Sequence, residues 1–229
     1  MTDDGDRARR MEQAALVPLL LAMTVVTGVV DAVSILRLGH VFVANMTGNV
    51  VFLGFALAGA SGFSMVASLV AMGAFLVGAA TGGRSTRGTQ RQVLGRIATV
   101  EAALCGVATV VAAVGSGTSA RYAITVLLAL ALGAQNATAR RLAVPDMTTT
   151  VLTLTITGLM ADPLDLGHLG SHTRRRVAAV VAMLAGATSG AFLVLNTSTG
   201  VALGAATAIL AVVAVTARRQ GTATELPSG

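Results

Sequence analysis

The chain lacks several residue types that water-soluble proteins normally use. Its 229 residues include no tryptophan, no lysine, one tyrosine and one cysteine. The single cysteine, Cys105, excludes an intramolecular disulfide framework and a cysteine-based metal site. Charged residues make up 11% of the chain and hydrophobic residues 54%, with a mean hydropathy of +0.78. This composition excludes a water-soluble single domain of the same length.

Apolar residues are instead concentrated in six long runs. A helix of about 20 residues crosses a hydrocarbon layer of about 30 Å, and each run reaches or approaches that length. The charged segment before the first run resembles the head of a signal peptide. No small-residue cleavage site follows it, so we read this run as a retained helix. We therefore predict an all-α polytopic membrane protein with spans over 14–34, 62–82, 93–114, 121–139, 177–195 and 200–217.

Two shorter apolar stretches, 46–60 and 147–161, either cross the membrane or re-enter it. All 16 basic residues are arginines near short loops, which we read as topology signals rather than as a nucleic-acid surface. If both stretches are re-entrant, 14 arginines are cytoplasmic and only Arg37 and Arg121 lie outside; if both cross, the split falls to 9 against 7. We therefore predict six transmembrane helices, two re-entrant or broken short helices and cytoplasmic termini. A segment that crosses as a strand followed by a helix is the alternative.

Three spans in each half predict an internal duplication. Because each half crosses an odd number of times, the second half is inverted relative to the first, as in many secondary transporters. We predict tails over 1–13 and 218–229 around a single membrane domain, 14–217, with repeats over 14–114 and 121–217. The aligned positions are Gly28, Asp31, Met46, Thr47 and Val50 in the first half, and Gly133, Asn136, Met147, Thr148 and Val151 in the second.

A polar head precedes each short apolar stretch. Asn45 and Asp146 are good helix N-caps, and the first turn of a helix leaves several N–H groups unpaired. Two such helix starts that meet inside the membrane would suit an anion or a polar small molecule. We predict a substrate site formed by Asn45, Thr47, Gly48, Asn49, Gln135, Asn136, Asp146, Thr148 and Thr149. The alternative is that the heads only cap helices in ordinary loops.

Two carboxylates lie within predicted spans, where a charge is costly. Asp31 either pairs with Arg37 or His40 or faces a cavity and exchanges a proton or a cation. Glu101 either pairs with Arg96 or takes part in coupling. We assign Asp31 and Glu101 as candidate coupling-ion residues. We predict no cofactor and no metal site, and we read the residues Asp162, Asp165, His168 and His172 as part of a cytoplasmic loop.

Pairs of glycines four residues apart occur in the last two spans. Gly186 and Gly190 form one pair, and Gly200 and Gly204 form the other. This spacing permits close contact between helices, either within the bundle or across a homodimer. The predicted partners are the lipid bilayer and a small solute or ion. If the glycine pairs lie across a homodimer, another copy of the chain is also a partner.

The runs Gly28–Ala32 (GVVDA) and Val41–Asn49 (VFVANMTGN) resemble the YoaK-like family of bacterial integral membrane proteins, a domain of unknown function. The resemblance extends over about residues 14–217, and the segment Asn45–Asn49 is its most specific part. It implies a protein of the bacterial inner membrane with about six spans. The family supplies no substrate.

These features together favour a secondary transporter for a small polar or anionic solute, rather than an enzyme. A channel or passive pore, which needs no coupling carboxylate, is the first alternative. A membrane scaffold without transport activity, or an intramembrane enzyme, is the second.

Overall fold

A computed structural model describes residues 3–84, 88–142, 156–157 and 171–223. The chain is all-α, as predicted, and six of its helices are long and apolar enough to cross a membrane. The helices of the described residues are α1 (Asp3–Arg37), α2 (Met46–Leu57), α3 (Met65–Gly82), α4 (Gln90–Val114), α5 (Gly117–Leu142), α6 (Ser171–Asn196) and α7 (Thr199–Ala223).

Local sequence signals explain where several helices begin. The Ser64 hydroxyl accepts a hydrogen bond from the Ala67 N–H and caps α3. Thr89 and Gln92 form a reciprocal capping box at the start of α4. Both arrangements satisfy N–H groups that the first turn of a helix leaves without partners.

Helix contacts fix the direction of each span. Gly28 of α1 lies against Met183 and Ala187 of α6, and Arg37 donates a hydrogen bond to the Val194 carbonyl at 2.9 Å, so α1 and α6 run in the same direction. The corresponding contacts show that α3 and α5 run parallel to each other and that α4 and α7 run antiparallel. We call the end of the bundle where α1, α4 and α6 finish the Arg37 face, and the opposite end the Arg84 face.

Helix α2 does not cross the bundle. It follows α1, which ends at the Arg37 face, and precedes α3, which starts there. Its 12 residues span only about 18 Å at 1.5 Å per residue, too short for a hydrocarbon layer of about 30 Å. The first short stretch is therefore re-entrant. Of the second stretch only residues 156–157, which are helical, are described.

The centre of the bundle consists of α1 and α5. In the 18-residue apolar stretch of each span, 67% of the residues of α1 and 61% of those of α5 are buried, against 22–39% in the other four spans. The outer helices carry exposed side chains such as Leu76 and Leu184, which suit contact with lipid. The two central helices are thus the ones best placed to line an interior site.

The pair α1 and α6 is held together by glycines. A Cβ at Gly186 would collide with the Val25 carbonyl oxygen, and a Cβ at Gly190 would lie 2.7 Å from the Val29 Cα. Gly28 makes a similarly close approach from the α1 side, because a Cβ at this position would lie 2.7 Å from the Ala187 nitrogen. The glycine spacing of this span therefore serves packing within the bundle.

The pair α3 and α5 is built in the same way. A Cβ at Gly78 would collide with the Leu130 carbonyl oxygen, and a Cβ at Gly82 would lie 2.6 Å from the Ala134 Cα. Gly133 of α5 lies equally close to the backbone of α3, because a Cβ at this position would lie 3.0 Å from the Ala79 nitrogen. Both helix pairs therefore depend on backbone approach that only glycine permits.

Helices α4 and α7 cross at a third small-residue contact. Thr109 and Thr207 lie 3.3 Å apart through their hydroxyl oxygens, and either can be the donor. Gly106 faces the Thr207 methyl group, and Gly204 faces the Thr109 methyl group. The glycine pair of the last span thus also packs inside the bundle.

Alanine at Gly78 or Gly186 should destabilise the protein by about 1–3 kcal/mol, because the added methyl group forces the paired backbones apart. The matched control is Gly73→Ala in α3, where no atom lies within 4 Å of the new Cβ. This control should be neutral or stabilising by up to about 1 kcal/mol through helix propensity. Unfolding in mixed detergent micelles measures all three variants. Equal stability of Gly78→Ala and Gly73→Ala would contradict the packing account.

Candidate functional site

The chain between α1 and α2 returns into the bundle as irregular backbone. It reverses at Gly39 and His40, which both have positive φ, and residues 41–45 form no regular strand. Asn49 of α2 is fully buried; its Oδ1 accepts a hydrogen bond from the Phe42 N–H at 2.8 Å and its Nδ2 donates to the Phe42 carbonyl at 2.6 Å. The Asn49 side chain thereby bonds both backbone groups of Phe42, as a neighbouring strand would do in a β-sheet.

Other residues of the segment Asn45–Asn49 serve the same local structure. The Asn45 side chain caps α2 by accepting from the Gly48 N–H at 3.4 Å. A Cβ at Gly48 would lie 2.6 Å from Cε2 of the Phe42 ring, which stacks on Phe52 with centroids 5.5 Å apart. The glycine therefore leaves space for the aromatic ring, and the segment needs no ligand to explain its composition.

Asp31 of α1 holds the same returning segment from the other side. Its Oδ1 accepts from the Ala44 N–H at 3.2 Å, and the Val43 N–H is a second backbone partner. Among the described residues its partners are these amides rather than Arg37 or His40, the two partners considered from the sequence. Asp31 lies six residues before the end of α1, so α2 starts about 9 Å below the Arg37 face.

A line of buried polar side chains follows one face of α1. Thr24, Thr27, Asp31 and Ser34 recur at intervals of three or four residues, so they lie on a single side of the helix. The three hydroxyl groups donate to backbone carbonyls of α1 itself. Of this set only Asp31 was predicted as a site residue, although the spacing of three and four residues also marks Thr24, Thr27 and Ser34 in the sequence.

Helices α1 and α5 are joined by a polar contact at the centre of the bundle. The Gln135 amide of α5 donates to the Thr27 hydroxyl at 3.1 Å, and both residues are almost fully buried. Measured along the helix axes, Asp31 lies one turn, about 6 Å, beyond Thr27 toward the Arg37 face, and half-buried Asn136 follows Gln135 by one residue toward the Arg84 face. We call Thr27, Asp31, Gln135 and Asn136 the polar centre.

A cavity lies beside α5 toward the Arg84 face. It has a volume of about 160 Å³ and lies between α3, α4 and α5. Ala134 and Thr138, which flank Gln135 and Asn136 in the sequence, are part of its lining, as are Arg96 and Val100 of α4. Glu101, the residue after Val100, is buried with 1% of its surface exposed. Glu101 itself is not part of the lining.

The structure brings together only part of the predicted substrate site. Gln135 and Asn136 lie in the polar centre, whereas Asn45 and Thr47 are exposed at the start of α2 and Asn49 is engaged by Phe42. Asp146, Thr148 and Thr149 lie outside the described residues, as do Asp162, Asp165 and His168. Among the described residues no group of three or more His, Cys, Asp or Glu side chains is suited to hold a metal ion.

Asn49→Ala should release the returning segment, because it leaves a buried N–H and a buried carbonyl of Phe42 without partners. We expect a loss of stability of about 1–3 kcal/mol for each orphaned group and faster hydrogen exchange over residues 38–46. Asn45→Ala, which removes only an exposed cap, should cost about 1 kcal/mol and leave Phe42 protected. Hydrogen exchange with mass spectrometry makes the comparison. Unchanged protection of Phe42 in Asn49→Ala would show that Asn49 does not hold the returning segment in place.

Comparisons with known proteins agree with this architecture. The family described as "Protein of unknown function (DUF1275)" matches residues 19–216. The UPF0700 transmembrane protein YoaK of Bacillus subtilis (strain 168) is 30% identical over 148 residues, which cover 63% of this chain and 65% of that protein. No solved structure matches the chain significantly. The chain thus belongs to the DUF1275 family of transmembrane proteins, as its sequence resemblance predicted.

Proposed function

We propose that this protein is a secondary transporter that moves a small polar or anionic solute through the polar centre. The observation that carries the proposal is the buried contact between Thr27 of α1 and Gln135 of α5, with Asp31 one helical turn further along α1 and Asn136 next to Gln135 in the sequence. Polar and ionisable groups at this depth are costly and usually mark a solute or ion pathway.

An inverted repeat supports this proposal. The residues of α1 at the glycine contacts with α6 have counterparts 105 residues later in the α3–α5 contact: Val25, Gly28 and Val29 correspond to Leu130, Gly133 and Ala134. The residues of α3 have counterparts 108 residues later in α6: Phe75, Gly78, Ala79 and Gly82 correspond to Met183, Gly186, Ala187 and Gly190. Apolar composition alone does not produce matching contacts of this kind, so we infer a duplication.

The crossing of α4 and α7 fits the same symmetry. Gly106 and Thr109 have counterparts 98 residues later in Gly204 and Thr207, and the two threonines contact each other directly. A contact between equivalent residues is expected where a pseudo-two-fold axis passes. The three helix pairs therefore support two units of three spans related by an axis in the membrane plane.

The two halves differ where they meet. In the register set by Gly28 and Gly133, the carboxylate of Asp31 corresponds to the amide of Asn136. A carboxylate can bind and release a proton and carries a negative charge for a cation, whereas an amide is neutral and does not titrate. We therefore propose that Asp31 couples transport to an ion gradient and that Asn136 contributes to the solute site.

Alternating access would use the two glycine-bound helix pairs as rigid units. The pair α1–α6 and the pair α3–α5 are each tightly packed, and the polar centre lies where α1 meets α5. The cavity lined by Ala134 and Thr138, which flank Gln135 and Asn136 in the sequence, lies toward the Arg84 face. Rocking of one pair against the other would close that cavity and open the opposite side, as in other inverted-repeat transporters.

The first test of transport is the substitution Asp31→Asn. The new side-chain amide retains an oxygen that accepts from the Ala44 N–H, so we expect the fold to persist while ion coupling is lost. After a thermal-shift screen has identified a solute, proteoliposomes with an imposed proton or sodium gradient should accumulate it only with the wild-type protein. The variant should equilibrate the solute without accumulation.

Ser34→Ala is the matched control for this experiment. It removes another buried polar group of α1, whose hydroxyl donates to the Asp31 backbone carbonyl at 2.9 Å, and leaves the carboxylate unchanged. This variant should retain gradient-driven accumulation. Wild-type flux that ignores every ion gradient would instead indicate a channel.

We also propose that the Arg84 face is cytoplasmic and that the protein lies in the bacterial inner membrane. Of the arginines in the described residues, only Arg37 and Arg121 lie at the Arg37 face, and arginines concentrate on the cytoplasmic side.

Single cysteines test this orientation in a Cys105→Ser background. The substitution Arg84→Cys, at an exposed position after α3, should resist an impermeant thiol reagent in intact cells, whereas Ser61→Cys, also at an exposed position, should react. Both should react after the cells are permeabilised. The reverse pattern in intact cells would invert the proposed orientation.

A further inference from the structure

A second cavity opens at the Arg37 face, away from the polar centre. It has a volume of about 180 Å³ and lies between the ends of α1 and α4 and the starts of α5 and α7. Arg37, Ser116, Arg121 and Thr199 provide its polar side chains. Arg37 follows Thr27 by ten residues, which places it about 15 Å further along α1, so the cavity is distinct from the proposed transport site.

The charge of this cavity comes from two arginines. Two helices end and two begin at its lining, so their terminal partial charges largely offset each other. No acidic residue is part of the lining. Among the acidic side chains that the structure describes, Asp31 binds backbone amides of the segment before α2, and Glu101 lies about 20 Å before the end of α4 along the helix.

Arg37 is fixed in place yet retains hydrogen-bonding capacity. Its Nη2 donates to the Val194 carbonyl at 2.9 Å, which ties the end of α1 to α6. A guanidinium group has about five N–H donors, so this bond leaves others for a further acceptor. The anchored side chain therefore presents a charge at a defined position.

Arg121 occupies an unfavourable position for a cation. It is the fifth residue of α5, and side chains on a helix lean toward its N-terminus, where the partial charge is positive. The guanidinium of Arg121 hydrogen-bonds to none of the described residues, so no contact with them offsets this placement. A bound anion would offset it.

We propose that this cavity binds an oxyanion, a phosphate or carboxylate group, between Arg37 and Arg121. Guanidinium groups suit such ligands because they form paired, charge-assisted hydrogen bonds. The hydroxyl groups of Ser116 and Thr199 are additional donors. With about 180 Å³, the cavity is smaller than the roughly 300–1,000 Å³ of sites for drug-sized ligands, so it fits a small anion or one lipid headgroup.

The experiment measures binding to the purified full-length protein, without any transport assay. Inorganic phosphate should raise the melting temperature of the protein in detergent more than chloride does at equal ionic strength. In parallel, native mass spectrometry measures retention of phosphatidylglycerol from nanodiscs that contain it together with phosphatidylcholine. The first arm reports a soluble anion and the second a lipid headgroup.

The variants are Arg37→Gln and Arg121→Gln, with Arg84→Gln as the matched control. Arg84 is also an exposed arginine that donates to one helix carbonyl, the Ala80 oxygen at 2.9 Å, but it lies at the opposite face. Arg37→Gln and Arg121→Gln should each weaken binding about tenfold or more, the loss expected for one charge-assisted hydrogen bond. The control should bind as the wild type does.

Arg121→Gln keeps the experiment decisive if Arg37→Gln fails to fold, because it removes no hydrogen bond among the described residues. Phosphate stabilisation or phosphatidylglycerol retention that depends on Arg121 would support the proposal and identify the source of the anion. Absence of both effects in the wild type, or equal losses in Arg84→Gln, would overturn it. Either result leaves the transport proposal to its own test at Asp31.

Discussion

Irregular backbone inside an apolar layer must have its N–H and C=O groups bonded by the protein itself, because no water or lipid tail can bond them. The segment before α2 meets this requirement through two side chains. Asn49 bonds both backbone groups of Phe42, and Asp31 accepts from Ala44. The position of α2 and its return to the Arg37 face depend on these bonds. The direction of every later helix follows from that return.

Close helix packing is the second constraint, and it acts on the backbone. Without a hydrophobic driving force between helices in lipid, stability comes from contact, and Gly78 and Gly186 allow two helix pairs to approach until backbones touch. The tight pairs leave α1 and α5 at the centre with only a limited direct contact. That contact includes the hydrogen bond from the Gln135 amide to the Thr27 hydroxyl.

Equivalent glycine contacts recur in the two helix pairs α1–α6 and α3–α5, and in the same register the position of Asp31 is taken by Asn136. Under the proposed transport function, Asp31 would be the coupling residue and Asn136 a neutral polar residue of the polar centre. At the Arg37 face, Arg37 and Arg121 add a positive cavity that is separate from this centre.

The sequence by itself determined the class of protein and the six spans, because run length reports directly on the solvent of each segment. It favoured a re-entrant over a crossing 46–60 through the placement of arginines, and left the crossing alternative open. It also identified Asp31 and Gln135 as buried polar groups of interest. Only the tertiary structure decided that Asn49 serves Phe42, that Thr27 meets Gln135 across 108 residues and that two arginines share a cavity. These contacts join distant parts of the chain, and helical periodicity specifies which face a residue occupies but not which helix that face meets.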